Sequence, residues 1–532
     1  MHDGIYLSTN IFHPAGTGRF PTILIRTPYG KGTSLVPNYQ AFVDHGYVVV
    51  LQDVRGRYDS QGVFSPLTQE GPDGDDTLNW IAAQPWSDGK IGMTGGSYLG
   101  IAQWKVALMN NPHLKAIFPV VSGSDDYRDR FYSPGGAMKL GHRLLWMSEN
   151  VRRSEFIPDF KKFIWRLPVL SADLAATGLE YPVYRESIRH PVYDGYWKGL
   201  STREHIKEIH VPVFAVGGWY DNYAESDLEA FAALRKSGGI NHVLIGPWPH
   251  NMSVPFRGVS YGPQASLPIR RLQLQWFDHW LKGLDTPISS QPPVKIFVMG
   301  ANVWREENDW PPRAKQVRFY LFSKGHANSI YGDGTLENSP AISPPDQFTY
   351  DPLKPVPTLG GAVCCNPAIF PWGPMDQRAV ERRRDVLVYS SAPLASDVEV
   401  TGRIRVVLRA ASNSPDTDFT AKLVDVFPNG EARNLCDGIL RARYRESLDK
   451  PKLMKPSEIY RLEIDAGVTS NVFLKGHRVR VEISSSNFPR FDRNLNTGRP
   501  VEEEAEIRRA NQVVYHDRVN HSYIILPVVP RP

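Results

Sequence analysis

Three residues have the types and positions that nucleophilic displacement at a carbonyl requires. Ser97 lies in KIGMTGGSYLGIAQW (90–104), Asp221 in GGWYDNY (217–223) and His250 in GPWPH (246–250). A serine hydroxyl is a weak nucleophile, so it needs an exposed position and an adjacent base. KIGMTGGS reads as a strand running into a tight turn and a helix, with the serine at the bend. Such a bend strains the serine backbone and demands small neighbours. Gly95 precedes Ser97 by two residues. The generic G-x-S-x-G spacing would put a second glycine at 99, but Leu99 stands there and the glycine falls at 100. Gly100 can still bring the helix close to the sheet.

Asp221 follows the apolar run VPVFAVGGW and His250 follows HVLIGPW. The order serine, aspartate, histidine, each just past a strand, is that of the α/β-hydrolase arrangement. In that logic His250 takes the Ser97 proton, while Asp221 holds the imidazole in one tautomer and stabilises its charged form. An oxyanion would be met by the backbone N–H of Tyr98 at the helix N-terminus, and by the Tyr29 hydroxyl after the early strand TILIRTPY.

The elements that must position these groups follow from periodicity. TILIRTPY (22–29), YVVVLQDV (47–54), KIGMTGGS (90–97), LKAIFPVV (114–121), VPVFAVGGW (211–219) and HVLIGPW (242–248) are continuous apolar runs. Helical patterns alternate with them at 38–46, 75–84, 98–109, 226–239 and 269–284. Such alternation predicts a mostly parallel, doubly wound sheet covered on both faces. Residues 124–205 interrupt it with aromatic-rich helical stretches and read as an insertion at the strand C-terminal edge, where open sheets bind ligands. From about 290 the character changes to successive β patterns. In HRVRVEIS, Val479, Val481 and Ile483 alternate with Arg478, Arg480 and Glu482, which predicts one buried and one wet face. This half is predicted to be an antiparallel jelly-roll β-sandwich. Residues 337–376, rich in Pro and Gly, should be the least regular.

The 532 residues, 41% apolar and 22% charged with a net charge of +5, describe an ordinary globular chain. Without a basic block or basic helix, nothing points to nucleic acid or a membrane surface. No apolar run approaches the ~18 residues of a membrane span. The opening Met1-His2-Asp3-Gly4 has no leader character, which places the protein in the cytoplasm unless a signal was removed. Cys364, Cys365 and Cys436 are too few for a disulfide framework, and adjacent cysteines rarely bridge, so three separate thiols are expected. HIKEIH (205–210) has the wrong spacing for a zinc helix, and PDGDDT (72–77) lacks the distal glutamate of a calcium loop; it reads as the cap of the helix that follows. Asp53, Arg55, Arg57 and Asp59 read as a structural ion network. No metal and no cofactor is expected.

Longer pieces carry a resemblance: RTPYGKG (26–32), QDVRGRYDSQGVF (52–64), WIAAQPWSDGKIGMTGGSYLGIAQW (80–104), GGWYDNY, GPWPH, DTDFTAKLVDVFPNG (416–430) and SSSNFPRFDRNLNTG (484–498). The chain resembles the cocaine esterase-like (CocE/NonD) serine hydrolases, relatives of X-Pro dipeptidyl peptidases and α-amino acid ester hydrolases. In that family the elbow reads G-x-S-Y-x-G, so Leu99 is in pattern. The resemblance implies a triad of Ser97, Asp221 and His250 and an oxyanion hole of Tyr29 and the Tyr98 amide. It also implies an α/β-hydrolase domain (1–123 and 206–288), a helical cap (124–205) and a jelly-roll domain (289–532).

The expected activity is hydrolysis of carboxylic esters, and of some amides, through an acyl-enzyme. The α-amino acid ester hydrolases place acidic residues just after the triad aspartate to hold an ammonium; here Asn222, Tyr223 and Ala224 stand there. Glu225, Asp125, Asp126 and Asp129 remain as substitutes. WYDNY sits nearer the cocaine esterase type, which implies bulky or aromatic acyl groups, with Phe131, Tyr132, Trp146, Trp165, Trp219 and Trp248 as candidates to line the pocket. The alternatives are an α-amino acid ester hydrolase, β-lactam acylase or X-Pro dipeptidyl-peptidase-like activity and, more distantly, a carbohydrate-binding protein with a vestigial triad. The partner is a small-molecule ester or amide, and self-association into a homodimer or larger homo-oligomer is compatible with the sequence.

Overall fold

The computed structural model describes residues 1–66, 68–253, 256 and 258–530. The apolar runs of the first half form a nine-stranded sheet: β1 (Thr9–Phe12), β2 (Phe20–Thr27), β3 (Val48–Asp53), β4 (Ser87–Gly96), β5 (Leu114–Val120), β6 (Val213–Tyr220), β7 (Asn241–Pro249), β8 (Val294–Val298) and β9 (Val303–Glu307). Their order is β1-β3-β2-β4-β5-β6-β7-β8-β9. The pairs from β3 to β8 are parallel, and the two edge pairs, β1 with β3 and β8 with β9, are antiparallel. Every residue of β3 and β6 is buried, as expected of strands covered on both faces. The helix at 38–46 is seen at Pro37–Asp44, and the one expected at 75–84 starts earlier, at Glu70. PDGDDT is therefore not a cap but the first turns of that helix. Its Asp73 is buried against Arg55 at 2.5 Å.

Residues 121–212, between β5 and β6, hold short helices packed round their own aromatic core, with Tyr127, Tyr132, Tyr184 and Trp197 fully buried. The 288/289 boundary falls inside the nine-stranded sheet. The run KIFVM, expected in the second half, is β8, hydrogen-bonded to β7, and β9 follows it. A short apolar run carries no mark of which sheet it will join. Met299 then exchanges backbone hydrogen bonds with Ser470 and Val472, which ties the sheet's end to the β half.

The β half forms an eleven-stranded sheet, ten strands along one path and Tyr460–Phe473 branching from it. The long strand Val398–Ser412 pairs antiparallel with Tyr460–Phe473, Ala510–Tyr515 and Tyr523–Val528. Apolar residues of these strands and of Asp418–Val426 and Arg478–Ser484 merge into one cluster, the packing of a β-sandwich. The wet face expected of HRVRVEIS is a correction: Arg480 and Glu482 are 9% and 4% exposed. The short helix Arg378–Glu381 covers them, pairing Glu381 with Arg480 at 2.7 Å, while Lys422 meets Glu482 at 3.1 Å. A second correction concerns Cys364 and Cys365, which are bonded to each other. The left-handed backbone at Cys365 (φ 90°) turns the two consecutive side chains to the same side. Among the described residues no helix is long and apolar enough to cross a membrane.

Candidate active site

Ser97 occupies the bend between β4 and the helix Tyr98–Ala107 with φ 57° and ψ −123°, a conformation that costs energy for a residue with a side chain. Its neighbours show why the glycines stand where they do. A Cβ on Gly95 (φ 143°) would lie 2.5 Å from Leu99 Cβ. A Cβ on Gly100 would lie 2.6 Å from Ser122 Cβ, just past the end of β5, so the glycine three residues after the serine lets the helix approach the sheet.

The sheet register brings the other two groups together. Tyr220 of β6 and Pro249 of β7 are partners, so the residues that follow them, Asp221 and His250, leave adjacent strand ends side by side. His250 Nδ1 lies 2.8 Å from Asp221 Oδ1, and its Nε2 lies 3.0 Å from Ser97 Oγ. With Nδ1 protonated, the imidazole donates to the carboxylate and accepts the Ser97 hydroxyl proton. Asp221 is 2% exposed, so it meets the histidine with little competition from water.

Tyr29 also reaches the site. Trp146 Nε1 donates to the Tyr29 hydroxyl oxygen at 3.1 Å, and the same hydroxyl lies against Ser97. Burial raises the Tyr29 pKa, opposed by those two contacts and by Arg143 and Arg57, so the phenol stays protonated near neutrality. Because the indole can only donate, it occupies an acceptor position of the phenol and leaves the phenolic proton free to point at a developing oxyanion. Tyr98 places the first backbone N–H of its helix beside Ser97, where no intrahelical acceptor exists. Its own hydroxyl is buried against Glu70 Oε1 at 2.7 Å, and its ring stacks on Trp146.

These groups open on a cavity of about 530 Å³, solvent at its mouth included. Of the aromatic candidates, only Phe131 and Trp146 line it. The other four are corrections. Tyr132 is inside the cap core, bonded to Ser187 O and stacked on Tyr127. Trp165 packs between Phe488 and Arg493, against the β half. Trp219 and Trp248 belong to the sheet's cores, with indole N–H groups bonded to Phe297 O and Ala265 O. A strand's last apolar residues alternate faces, and these two point into the layers, not over the sheet's end.

The acidic substitutes are also spent elsewhere. Asp125 caps Tyr127 and Arg128, Asp126 pairs with Lys105 and Arg130, Asp129 accepts from the Asp125 amide, and Glu225 pairs with Arg403. No carboxylate lines the cavity among the described residues. The lining residues missed in the sequence include His142, Arg143, Tyr181 and Tyr223. His142 and Arg143 stand one helical turn before Trp146 on the helix Leu140–Asn150, a spacing that could have flagged them once Trp146 was chosen. Burial, reinforced by Arg143 and Lys139, pushes the His142 pKa well below its ordinary value, so its ring is neutral. Its ring nitrogen and the two sulfurs of Cys364 and Cys365 lie within 4.8 Å of one another. Of the expected ion network, Arg55 pairs with Asp73, and Asp53 and Asp59 both meet Lys31. Arg57 instead donates to the carbonyls of Pro28 and Asn150.

Comparison with known proteins gives a consistent picture. Residues 3–252 match the family described as X-Pro dipeptidyl-peptidase (S15 family), and residues 287–525 match the X-Pro dipeptidyl-peptidase C-terminal non-catalytic domain. The chain is 38% identical to the cocaine esterase of Rhodococcus sp. (strain MB1 Bresler), over all of this chain and 97% of that one. Among solved structures, an aminopeptidase from a marine sediment Thaumarchaeota archaeon superposes with a TM-score of 0.87 at 26% identity, covering 100% of this chain and 95% of the other. An α-amino acid ester hydrolase superposes with a TM-score of 0.84 at 26% identity, covering 99% and 95%.

Proposed function

This chain belongs to the X-Pro dipeptidyl-peptidase S15 family together with cocaine esterase, and from that premise we propose that it is a serine hydrolase cleaving small-molecule carboxylic esters with bulky or aromatic acyl groups. The observation that carries the reading is the unbroken relay from Asp221 through His250 to Ser97, with spacings of 2.8 and 3.0 Å, at a strained bend beside two oxyanion donors.

The steps follow from the geometry. His250 Nε2 takes the Ser97 proton as Oγ bonds to the ester carbonyl carbon, and the carbonyl π electrons move to oxygen. The Tyr29 hydroxyl and the Tyr98 amide stabilise that oxyanion. Its collapse breaks the bond to the alcohol oxygen, which leaves with the proton from His250. Water, deprotonated by the same imidazole, then attacks the acyl-serine and regenerates the hydroxyl. Asp221 fixes the ring and stabilises its charged form.

The relatives that act on α-amino acyl substrates are a weaker guide, because the described residues of the cavity offer no carboxylate to an ammonium group. A fluorophosphonate probe should label the wild type stoichiometrically at Ser97, and Ser97→Ala should lose both labelling and p-nitrophenyl butyrate turnover by about 10⁴-fold or more. Retention of most turnover in Ser97→Ala would reject the assignment.

A further inference from the structure

Arg143 projects into the cavity that contains Ser97 and is 9% exposed. Its guanidinium lies over the Phe131 ring at 3.9 Å, and Nη2 donates to the Arg130 carbonyl at 3.2 Å. Nε has no hydrogen-bond partner, and no carboxylate lies within 4.0 Å of the group among the described residues. The other buried arginines each have a partner, four of them a carboxylate, although Arg26 Nη2 and Arg130 Nε also lack a hydrogen bond. Arg26 pairs with Glu70, Arg130 with Asp126, Arg441 with Asp418 and Asp492, and Arg480 with Glu381. Arg493 donates to the carbonyls of Pro352 and Trp165.

A buried cation with open donors is costly unless an anion completes it. A second open group lines the same cavity: the Tyr181 hydroxyl is buried without a partner. Arg57, which also lacks a carboxylate partner, adds a further positive charge, since Arg57 and Arg143 both act electrostatically on the Tyr29 and Tyr181 hydroxyls. The cavity thus combines aromatic walls, a planar cationic fork and an unengaged phenol. That set recognises a carboxylate attached to an apolar or aromatic body. It is the reverse of an ammonium site. During turnover the alcohol must leave while the acyl group stays bonded to Ser97, so the enclosed charge is placed to hold the acyl portion.

Resting on the serine-hydrolase reading, we propose that the preferred substrate is an ester whose acyl group carries a second, free carboxylate, a dicarboxylic acid half-ester, bound by Arg143 and Tyr181. The test uses two matched pairs: mono-p-nitrophenyl adipate and terephthalate, and the same compounds with the free acid capped as a methyl ester. The wild type should favour the free acid of at least one pair by tenfold or more in kcat/KM. Arg143→Gln should bring that ratio to near unity, and Arg143→Lys should keep part of it. A ratio near or below one in the wild type, or one that survives Arg143→Gln, overturns the proposal.

The ratio is read within one protein, so a general loss of activity does not mimic the result. If the variants do not fold, the wild type still decides. Monomethyl terephthalate should inhibit p-nitrophenyl butyrate hydrolysis at least tenfold more strongly than dimethyl terephthalate, and equal inhibition counts against the proposal. Inertness toward all four esters and p-nitrophenyl butyrate alike would instead reject the hydrolase reading, and this inference with it.

Discussion

The indole N–H of Trp146, on the cap, donates to the hydroxyl of Tyr29, on the loop after β2, at 3.1 Å. One side chain from the insertion thereby orients the hydroxyl that we propose as an oxyanion donor. Tyr29→Phe should lower kcat about 10²-fold, near 3 kcal/mol of transition-state stabilisation. Trp146→Phe should lower kcat only about 2- to 10-fold, the worth of one neutral hydrogen bond. If Trp146 acts through Tyr29, adding Trp146→Phe to Tyr29→Phe should cost no further kcat. Steady-state kinetics of the double-mutant cycle decides, and additive losses would contradict the coupling.

Asp221→Asn keeps the size of the side chain but can no longer enforce an Nδ1–H tautomer on His250. A kcat loss of about 10⁴-fold is expected, with KM little changed and thermal stability close to the wild type. Asparagine turnover within tenfold of the wild type would remove Asp221 from the relay.

Gly100→Ala puts a methyl group 2.6 Å from Ser122 Cβ. Overpacking of this kind should destabilise by about 1–3 kcal/mol and shift the helix that carries Ser97. Ser122→Gly in the same chain removes the clash and should restore part of the loss. Urea midpoints of the single and double variants provide the measurement.

His242 stacks on Phe214 and packs against Trp276. Burial, with a contribution from Arg235, lowers its pKa to about 4. In the unfolded chain it titrates near its ordinary 6.5, so between pH 6.5 and 4 the unfolded state binds a proton that the folded state declines. The stability that His242 contributes is full above pH 6.5 and is lost as pH falls toward 4, by an amount on the order of 1–3 kcal/mol. His242→Phe should flatten the drop in denaturation midpoint between pH 7 and pH 5. An unchanged drop would show that other groups carry it.

Much of the site was legible because its members announce themselves locally. Ser97, Asp221 and His250 each end an apolar run, and parallel strands in a doubly wound sheet release their C-terminal ends along one edge. The small residues at 95 and 100 could be read for the same reason, since a strand-turn-helix bend limits its neighbours whatever surrounds it. Of the pocket walls only Phe131 and Trp146 were legible. Trp219 and Trp248 flank Asp221 and His250 in sequence and looked like lining, but the alternation of a strand turned them into the cores. Arg143 and Tyr181 come from separate segments of the insertion, and nothing in their local pattern says that both face Ser97.

The chain order alone determined the sheet, the bend and the identity of the groups that can exchange a proton, because these depend on periodicity and short-range sterics. Tertiary packing alone decided which aromatic rings meet the substrate, which carboxylates are consumed by arginines, and that the cavity-facing Arg143 guanidinium has no acid beside it among the described residues. Those outcomes depend on contacts between residues far apart in sequence. Charge is neutralised by whatever lies within a few ångströms, and that neighbourhood is created only when the cap and both β layers close around the site.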